Sequence, residues 1–399
     1  MTIENAIRSR DYRSAQTLIG NGEKLPSDMH SQVRAQLYEL LLDARQFDIL
    51  KLFIENHLIE TDLYEYDNFD YTLFYAIFTY RDIDDEINDF FDSIIGKFTN
   101  LNDEVKGYSL LNYAFIRGAN IRIIQILLNA GCNIHFRNSE DDNILHQLIK
   151  SDEVRYRFST EQLVQLFNQY VEILITQGVE IDDVNSKNET ALLLALIFRK
   201  NFFLPVLLEK GADPNHFDRL GNNAFYYAIS LEKDLNAYRL LKEYASPQLN
   251  NVNGTSSTIL FHYLAELNFD SEEKNRDIIV QLINDGADLY QTCKRYGEPK
   301  TPADYLECKP VEVLKAVIET GDVYLNSQDS KGNTLLHKVC AYDVDANHDK
   351  AKETYRRVKF LLQNGADHTL TNDADQTPLM LASDDNYKIK TVELLMKQG

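Results

Sequence analysis

One phrase is written several times along this chain: Thr-x-Leu-x, about two helices' worth of residues, then Gly-Ala-Asp. It reads Thr334-Leu335-Leu336-His337 leading to Gly365-Ala366-Asp367, and Thr190-Ala191-Leu192-Leu193 leading to Gly211-Ala212-Asp213. A short unit repeated at near-constant spacing cannot bury its apolar face alone, so successive copies must stack. The chain is therefore expected to form a quasi-linear array in which each unit contacts only its neighbours.

The openings of the units set the register. They are Thr72-Leu73-Phe74, Ser109-Leu110-Leu111, Asn143-Ile144-Leu145-His146, Thr190, Asn223-Ala224-Phe225, Thr258-Ile259-Leu260, Thr301-Pro302-Ala303, Thr334 and Thr377-Pro378-Leu379-Met380. A Thr, Ser or Asn at each opening can cap a helix with its side-chain oxygen. In the unit from Thr334 to Asp367, Leu335, Leu336, Val339 and Cys340 supply one buried face, and Val358 to Leu362 a second helix. Gly365 ends that helix in a left-handed turn, and Asp329-Ser330-Lys331-Gly332 forms the tip linking successive units. Three intervals are longer and carry polar insertions, Ser151 to Thr160, Asn268 to Asn275 and Asp343 to Glu353, each expected as a loop between the two helices of its unit.

These residues resemble the ankyrin repeat, with its period of about 33 residues and its Thr-Pro-Leu-His-x-Ala signature. Only Thr301 and Thr377 keep the Pro, and several openings lack the His. The resemblance implies an all-α ankyrin-repeat solenoid of about nine to ten helix-turn-helix units with short tip loops or hairpins. Residues 1–61 are expected as divergent N-terminal capping helix pairs and residues 62–399 as the array. Within the array, residues 62–101 form an acidic-aromatic unit and residues 102–399 the regular repeats. The composition, rich in Asn, Ile and Tyr and free of Trp, fits an ankyrin repeat protein of bacterial or viral type.

The 399 residues carry a formal charge of −21. That excludes nucleic acid and an anionic membrane surface as expected partners, since both need clustered Lys and Arg. It favours a basic protein, although the same charge also serves solubility. The four cysteines have no CxxC spacing and read as reduced thiols. The N-terminus has no signal-peptide pattern and no apolar run spans a bilayer, so the cytoplasm is the expected compartment.

No catalytic fingerprint was found: HExxH, GxSxG, a Walker loop and a Gly-rich nucleotide motif are all missing. His146 and His337 occupy the signature His slot, which the resemblance makes structural. Asp343 to Asp349 imitates the start of an EF-hand loop, but it lacks the Gly and has Thr354 where the closing Glu belongs. No cofactor, metal or catalytic residue is expected.

Residues 60–92 differ from the rest: eleven acids face the single base Arg81, with ten aromatic rings interleaved. Some of these rings belong to the core of the first helix. In the ankyrin register, however, Tyr66, Phe69 and Tyr71 fall on the tip loop and Tyr80 at the far end of that helix. Ankyrin tips and first helices form the family's concave binding face. The candidate partner-binding residues are Tyr64, Tyr66, Asp67, Phe69, Asp70, Tyr71, Tyr80, Asp82, Asp84, Asp85 and Tyr108, with His216 and Phe217 at a comparable tip. Exposed Tyr supplies anchoring area and carboxylates meet Lys and Arg. The expected function is a non-catalytic protein-binding module, monomeric when free, that sequesters or inhibits a basic protein, as an immunity protein neutralises a toxin. The alternative is a host-targeting effector or scaffold adaptor that recruits a partner without inhibiting it. An enzyme hidden in the insertions is the third reading.

Overall fold

The computed structural model describes residues 1–80, 84–154, 157–267, 273–321 and 323–398. The chain divides into two compact units, Met1–Asp213 and Pro214–Gly399. In the first, helices pair as α1 (Ile3–Arg8) with α2 (Tyr12–Gly20), α3 (Ser31–Asp43) with α4 (Phe47–Glu55), and α5 (Leu73–Phe78) with α6 (Asp85–Ile95). Then follow α7 (Leu110–Ile116) with α8 (Ile121–Asn129), α9 (Ile144–Lys150) with α10 (Thr160–Thr176), and α11 (Ala191–Ile197) with α12 (Leu204–Glu209). The first helix of a pair stacks on the first helix of the next, and second helices stack likewise, as α1 on α3 on α5 and α6 on α8.

The second unit begins with α13 (Ala224–Tyr226), prolonged by a π-helical turn, and α14 (Leu235–Tyr244). Next come α15 (Ile259–Glu266) with α16 (Glu273–Asn284), and a 3-10 stretch, Pro302–Cys308, with α17 (Val311–Glu319). The unit ends with α18 (Leu335–Ala341) beside α19 (His348–Gln363), and α20 (Pro378–Ser383) beside α21 (Ile389–Met396). Among the described residues six pairs and five pairs make eleven, one more than the upper end of the expected range. Each unit is an all-α ankyrin-type stack.

The capping residues behave as the register predicts. Thr72, Ser109, Asn143, Thr190, Asn223, Thr258, Thr334 and Thr377 each accept the N–H three residues on. At Asn143 and Thr334 the reciprocal half is supplied by His146 and His337, whose Nδ1 accepts the capping residue's own N–H at 3.2 Å. Their Nε2 atoms lie 3.0 Å from the Asp183 carbonyl and 3.2 Å from that of Gln376 on the following tip. With Nδ1 as acceptor, Nε2 carries the proton, and each buried ring is neutral.

The tips follow a rule of their own. An Asn or Asp lies five residues before the helix cap: Asn138, Asn185, Asp218, Asn253, Asp329 and Asn372. Its side chain accepts the N–H groups two and four residues later. Three residues after it the backbone turns left-handed, at Asp141, Asn188, Gly221, Ser256, Gly332 and Asp375. Adjacent tips are tied by backbone bonds, Ser186 to Glu140, Gly254 to Leu220 and Asp373 to Lys331, each from N–H to carbonyl.

The three insertions leave a problem at the end of the first helix. In regular repeats a left-handed residue, such as Gly118 or Arg199, turns the chain back at once. In the three interrupted repeats the chain leaves α9, α15 and α18 in extended conformation at Ser151, Leu267 and Tyr342. That leaves terminal carbonyls without their usual partners. A buried lysine from the next repeat fills each gap: Lys200 donates to Ser151 O at 2.6 Å, Lys309 to Leu267 O at 2.7 Å and Lys388 to Cys340 O at 2.9 Å. A cation at a helix C-terminus also meets the negative end of the dipole. The expectation that the third insertion is a loop needs correction. From His348 it is helical, because Asn347 caps α19 by accepting from Asp349 and Lys350. The first and second insertions lie partly outside the described residues.

Candidate partner-binding surface

The tip between α4 and α5 departs from the rule. Its left-handed residue is Tyr71, directly before the cap Thr72, one place later than elsewhere. With the turn displaced, Phe69 faces inward. It is 2 % exposed and packs against Phe74 and Tyr113, with ring centroids 6.4 and 5.1 Å away. The expectation of Phe69 as a surface anchor is therefore corrected: it is core.

The remaining candidates separate by what already holds them. Tyr66 is half-buried against Phe69 and Phe74, and its hydroxyl donates to Glu60 O at 2.7 Å. Asp70 accepts from the Tyr113 hydroxyl at 2.7 Å and pairs with Arg117. Arg117 also reaches Glu153 at 2.6 Å and lies over the Tyr75 and Tyr113 rings. Burial, then the bond to Asp70, holds the Tyr113 hydroxyl above the usual phenol range against the pull of Arg117. Tyr80 is half-buried, donating to Asp43 at 2.8 Å with Arg45 beside its ring. Asp84 caps α6 and pairs with Arg45 at 2.5 Å; the Ile87 N–H and then Arg45 keep its carboxyl below the usual range. Tyr108 is half-buried in a bridge with Val105. Asp82 lies outside the described residues.

What stays uncommitted is a smaller set. Tyr64 is 75 % and Tyr71 39 % exposed, and their hydroxyls have no bond among the described residues. The side chains of Glu65, Asp67 and Asp85 are exposed and unpaired there as well. The first unit thus brings Tyr64, Tyr66, Asp67, Asp70 and Tyr71 together around one tip, with Tyr113 and Arg117 of the next repeat beside it. Asp84 and Asp85 sit instead at the start of α6. His216 and Phe217 are half-buried in the second unit.

A cavity of about 380 Å³ lies under this tip, between it and the N-terminal end of α3. Tyr38, Arg34 and Ser31 of α3 form one wall, and Glu60, Glu65, Tyr66, Asp67 and Tyr71 the other. Sequence reasoning missed the α3 side, because nothing in residues 31–38 stands out until the fold brings them under the tip.

A second tip also breaks the rule, in the second unit. Here β1 (Cys293–Arg295) pairs antiparallel with β2 (Glu298–Lys300), the one strand pair among the described residues. Tyr296 and Gly297 form the left-handed turn, and Tyr296 is 93 % exposed. The Lys294 N–H points outward to Ser256 O at 3.0 Å. Pro299 stands opposite Lys294, so its nitrogen faces the open edge and has no hydrogen to give there. That blunts the edge against an added strand. The hairpin carries Lys294, Arg295 and Lys300 against Glu298, and a groove of about 520 Å³ runs beside it, flanked by Tyr290 and Tyr324. The sequence signal was a Tyr-Gly turn between short basic segments.

The sequence comparisons agree with this architecture. A model of ankyrin repeats, in three copies, matches residues 162–253. The chain is 26 % identical over 327 residues to an ankyrin repeat protein of Acanthamoeba polyphaga mimivirus, covering 73 % of this chain and 38 % of that one. It is 26 % identical over 172 residues to an ankyrin repeat domain-containing protein of Myxoma virus (strain Lausanne), covering 41 % and 33 %. The chain thus spans well under half the length of these curated relatives. Among solved structures, the ankyrin repeat domain of Bcl-3, a member of the IkappaB family, aligns with 65 % of this chain and 100 % of its own, at TM-score 0.48 and 21 % identity. Repeats of this kind mark a protein–protein interaction module; the chain carries them over residues 162–253 and is similar to ankyrin repeat proteins of two viruses.

Proposed function

We propose that this is a non-catalytic cytoplasmic binding protein, monomeric until it meets its partner, that sequesters a basic protein on the irregular tip of its first unit. An immunity protein covering a basic toxin is one form this takes. The carrying observation is the set of exposed, uncommitted groups around that tip: Tyr64 and Tyr71 beside Glu65 and Asp67. Rigid aromatic area with a hydroxyl makes a good anchor, and unpaired carboxylates steer and select a cationic surface.

The test begins with capture of the partner by the full chain. Association is then measured for the wild type and for a Tyr64→Ala/Tyr71→Ala variant, across salt concentrations. Loss of a central aromatic anchor costs about 2 kcal/mol or more. Raising salt should slow association, since exposed charges are screened over about 8 Å at physiological ionic strength. A variant that binds normally, with a rate indifferent to salt, refutes the reading. Adding the chain to an activity assay of the partner separates inhibition from recruitment.

The hairpin of the second unit favours a second reading, an adaptor that carries two partners. Its basic side chains are opposite in sign to the first tip. Trimming residues 294–299 to a short turn would remove one partner and spare the other in an adaptor, and would remove none in a simple inhibitor.

A further inference from the structure

The cavity beneath the first tip has two chemical zones. At its inner wall, Tyr38 is 3 % exposed, and its hydroxyl meets no donor or acceptor among the described residues. One turn earlier on α3, the Arg34 guanidinium has no ion pair among them, and its Nε is buried without a hydrogen-bond partner. A buried polar hydrogen without an acceptor is costly, by more than a hydrogen bond ordinarily contributes. Tyr66, whose own hydroxyl is spent on Glu60 O, closes the space on the other side. The outer wall is different, with Glu60, Glu65 and Asp67 exposed there.

Donors without acceptors inside and carboxylates at the mouth define what fits. The inner groups call for an acceptor oxygen. The surrounding carboxylates would repel a carboxylate or phosphate at that depth, so the oxygen belongs to a neutral group. The mouth calls for a cation. We propose that the cavity formed by Tyr38, Arg34 and the 65–71 tip receives an extended peptide segment of the basic partner. A main-chain or amide carbonyl of that segment accepts from Tyr38 and Arg34, while a neighbouring Lys or Arg meets Glu65 and Asp67. This rests on the function proposed above and specifies how the partner is gripped. Because the Tyr38 hydroxyl has no partner in the free protein, it is a binding group without a folding role.

That last point makes the test clean. Random twelve-residue peptides displayed on phage are selected against the full-length chain, and the enriched peptides are synthesised and measured by calorimetry. The expected result is enrichment of Lys or Arg, with affinity reduced about five- to tenfold by Tyr38→Phe, the loss of one neutral hydrogen bond. Arg34→Gln should weaken them at least as much, while the urea midpoint of Tyr38→Phe does not fall below the wild-type value. No enrichment, enrichment of acidic or uncharged peptides, or equal affinity for Tyr38→Phe overturns the proposal. The Tyr64→Ala/Tyr71→Ala variant keeps the two levels apart. If it loses the peptides and Tyr38→Phe does not, the surface stands and the cavity falls. If neither loses them, both fall.

Discussion

Two glycines of the second unit separate backbone strain from backbone crowding. Gly365 ends α19 at φ +91°, and a Cβ built there meets nothing within 4 Å. Gly332, in the tip before α18, has φ +72°, but its Cβ would stand 2.7 Å from the Asp373 backbone nitrogen and 3.0 Å from Asn372 Cα. Gly365→Ala therefore pays only for a left-handed residue with a side chain, about 1–2 kcal/mol. Gly332→Ala incurs that cost and must also push the next tip away, since ordinary contact begins at 3.4 Å. That tip is held by the Asp373 N–H on Lys331 O at 3.0 Å and by Asn372 Nδ2 on Asn333 Oδ1, also 3.0 Å. Overpacking of this kind adds about 1–3 kcal/mol, so Gly332→Ala should cost about 2–5 kcal/mol in all. Urea denaturation followed by circular dichroism gives the totals. Amide exchange locates the loss, which for Gly332→Ala should concentrate in α20 and α21. Equal losses at the two sites, or a larger one at Gly365, would show that tip-to-tip spacing does not constrain this stack.

Stability should also fall with acid. Burial first of all lowers the pKa of His146, His262 and His337 below 6.5. The unfolded chain then takes up protons that the folded chain refuses, so the stabilisation is complete above about pH 6.5 and declines below it. Glu307 works the other way: burial pushes its carboxyl up to about 7, so it gains stability as pH falls through that value. Glu307→Gln removes the opposing group and should steepen the decline; a denaturation midpoint of that variant that is flat from about pH 7.5 to 5.5 counts against neutral, buried histidines. Lys388→Met removes the charged bond to Cys340 O and strands that carbonyl, a cost of about 1–3 kcal/mol. The exposed Lys390 should tolerate the same change, and identical midpoints would mean the lysine does not cap α18.

How much of this was legible follows from what each residue interacts with. The caps were readable because Thr72, Thr190 or Thr334 acts on an N–H three residues away, a relation the sequence contains. The roles of His146 and His337 came from the resemblance, and the geometry supports them. The rule of the regular tips is also in the sequence, as Asn or Asp five residues before six of the caps. Lys200, Lys309 and Lys388 could not be read, because the carbonyls they meet lie 42 to 49 residues earlier. Phe69 was misplaced by a one-residue shift of a left-handed turn, which no composition or period reveals. Tyr80 and Asp84 are engaged by Asp43 and Arg45, which belong to the preceding repeat and so lie 37 and 39 residues away.

The regular tips explain why the irregular ones are the places to look for binding. In a regular tip the Asn or Asp side chain already accepts two N–H groups, the left-handed residue is fixed, and the next tip is tied on by its backbone. A partner that recruited those groups would have to break bonds of comparable strength, and net affinity would vanish. The tip at 65–71 has given up that internal economy: its turn is shifted, Phe69 is withdrawn into the core, and Asp70 is spent on Arg117. Glu65, Asp67, Tyr64 and Tyr71 are left with nothing to lose on binding, and Tyr38 below them has only an acceptor to gain. Restoring the rule should therefore stabilise the tip and abolish the site together. A graft of the regular sequence Asp329 to Asn333 onto positions 67–71 is the direct trial: higher stability with lost binding is the expected pair. Binding that survives the graft would place recognition elsewhere in the array.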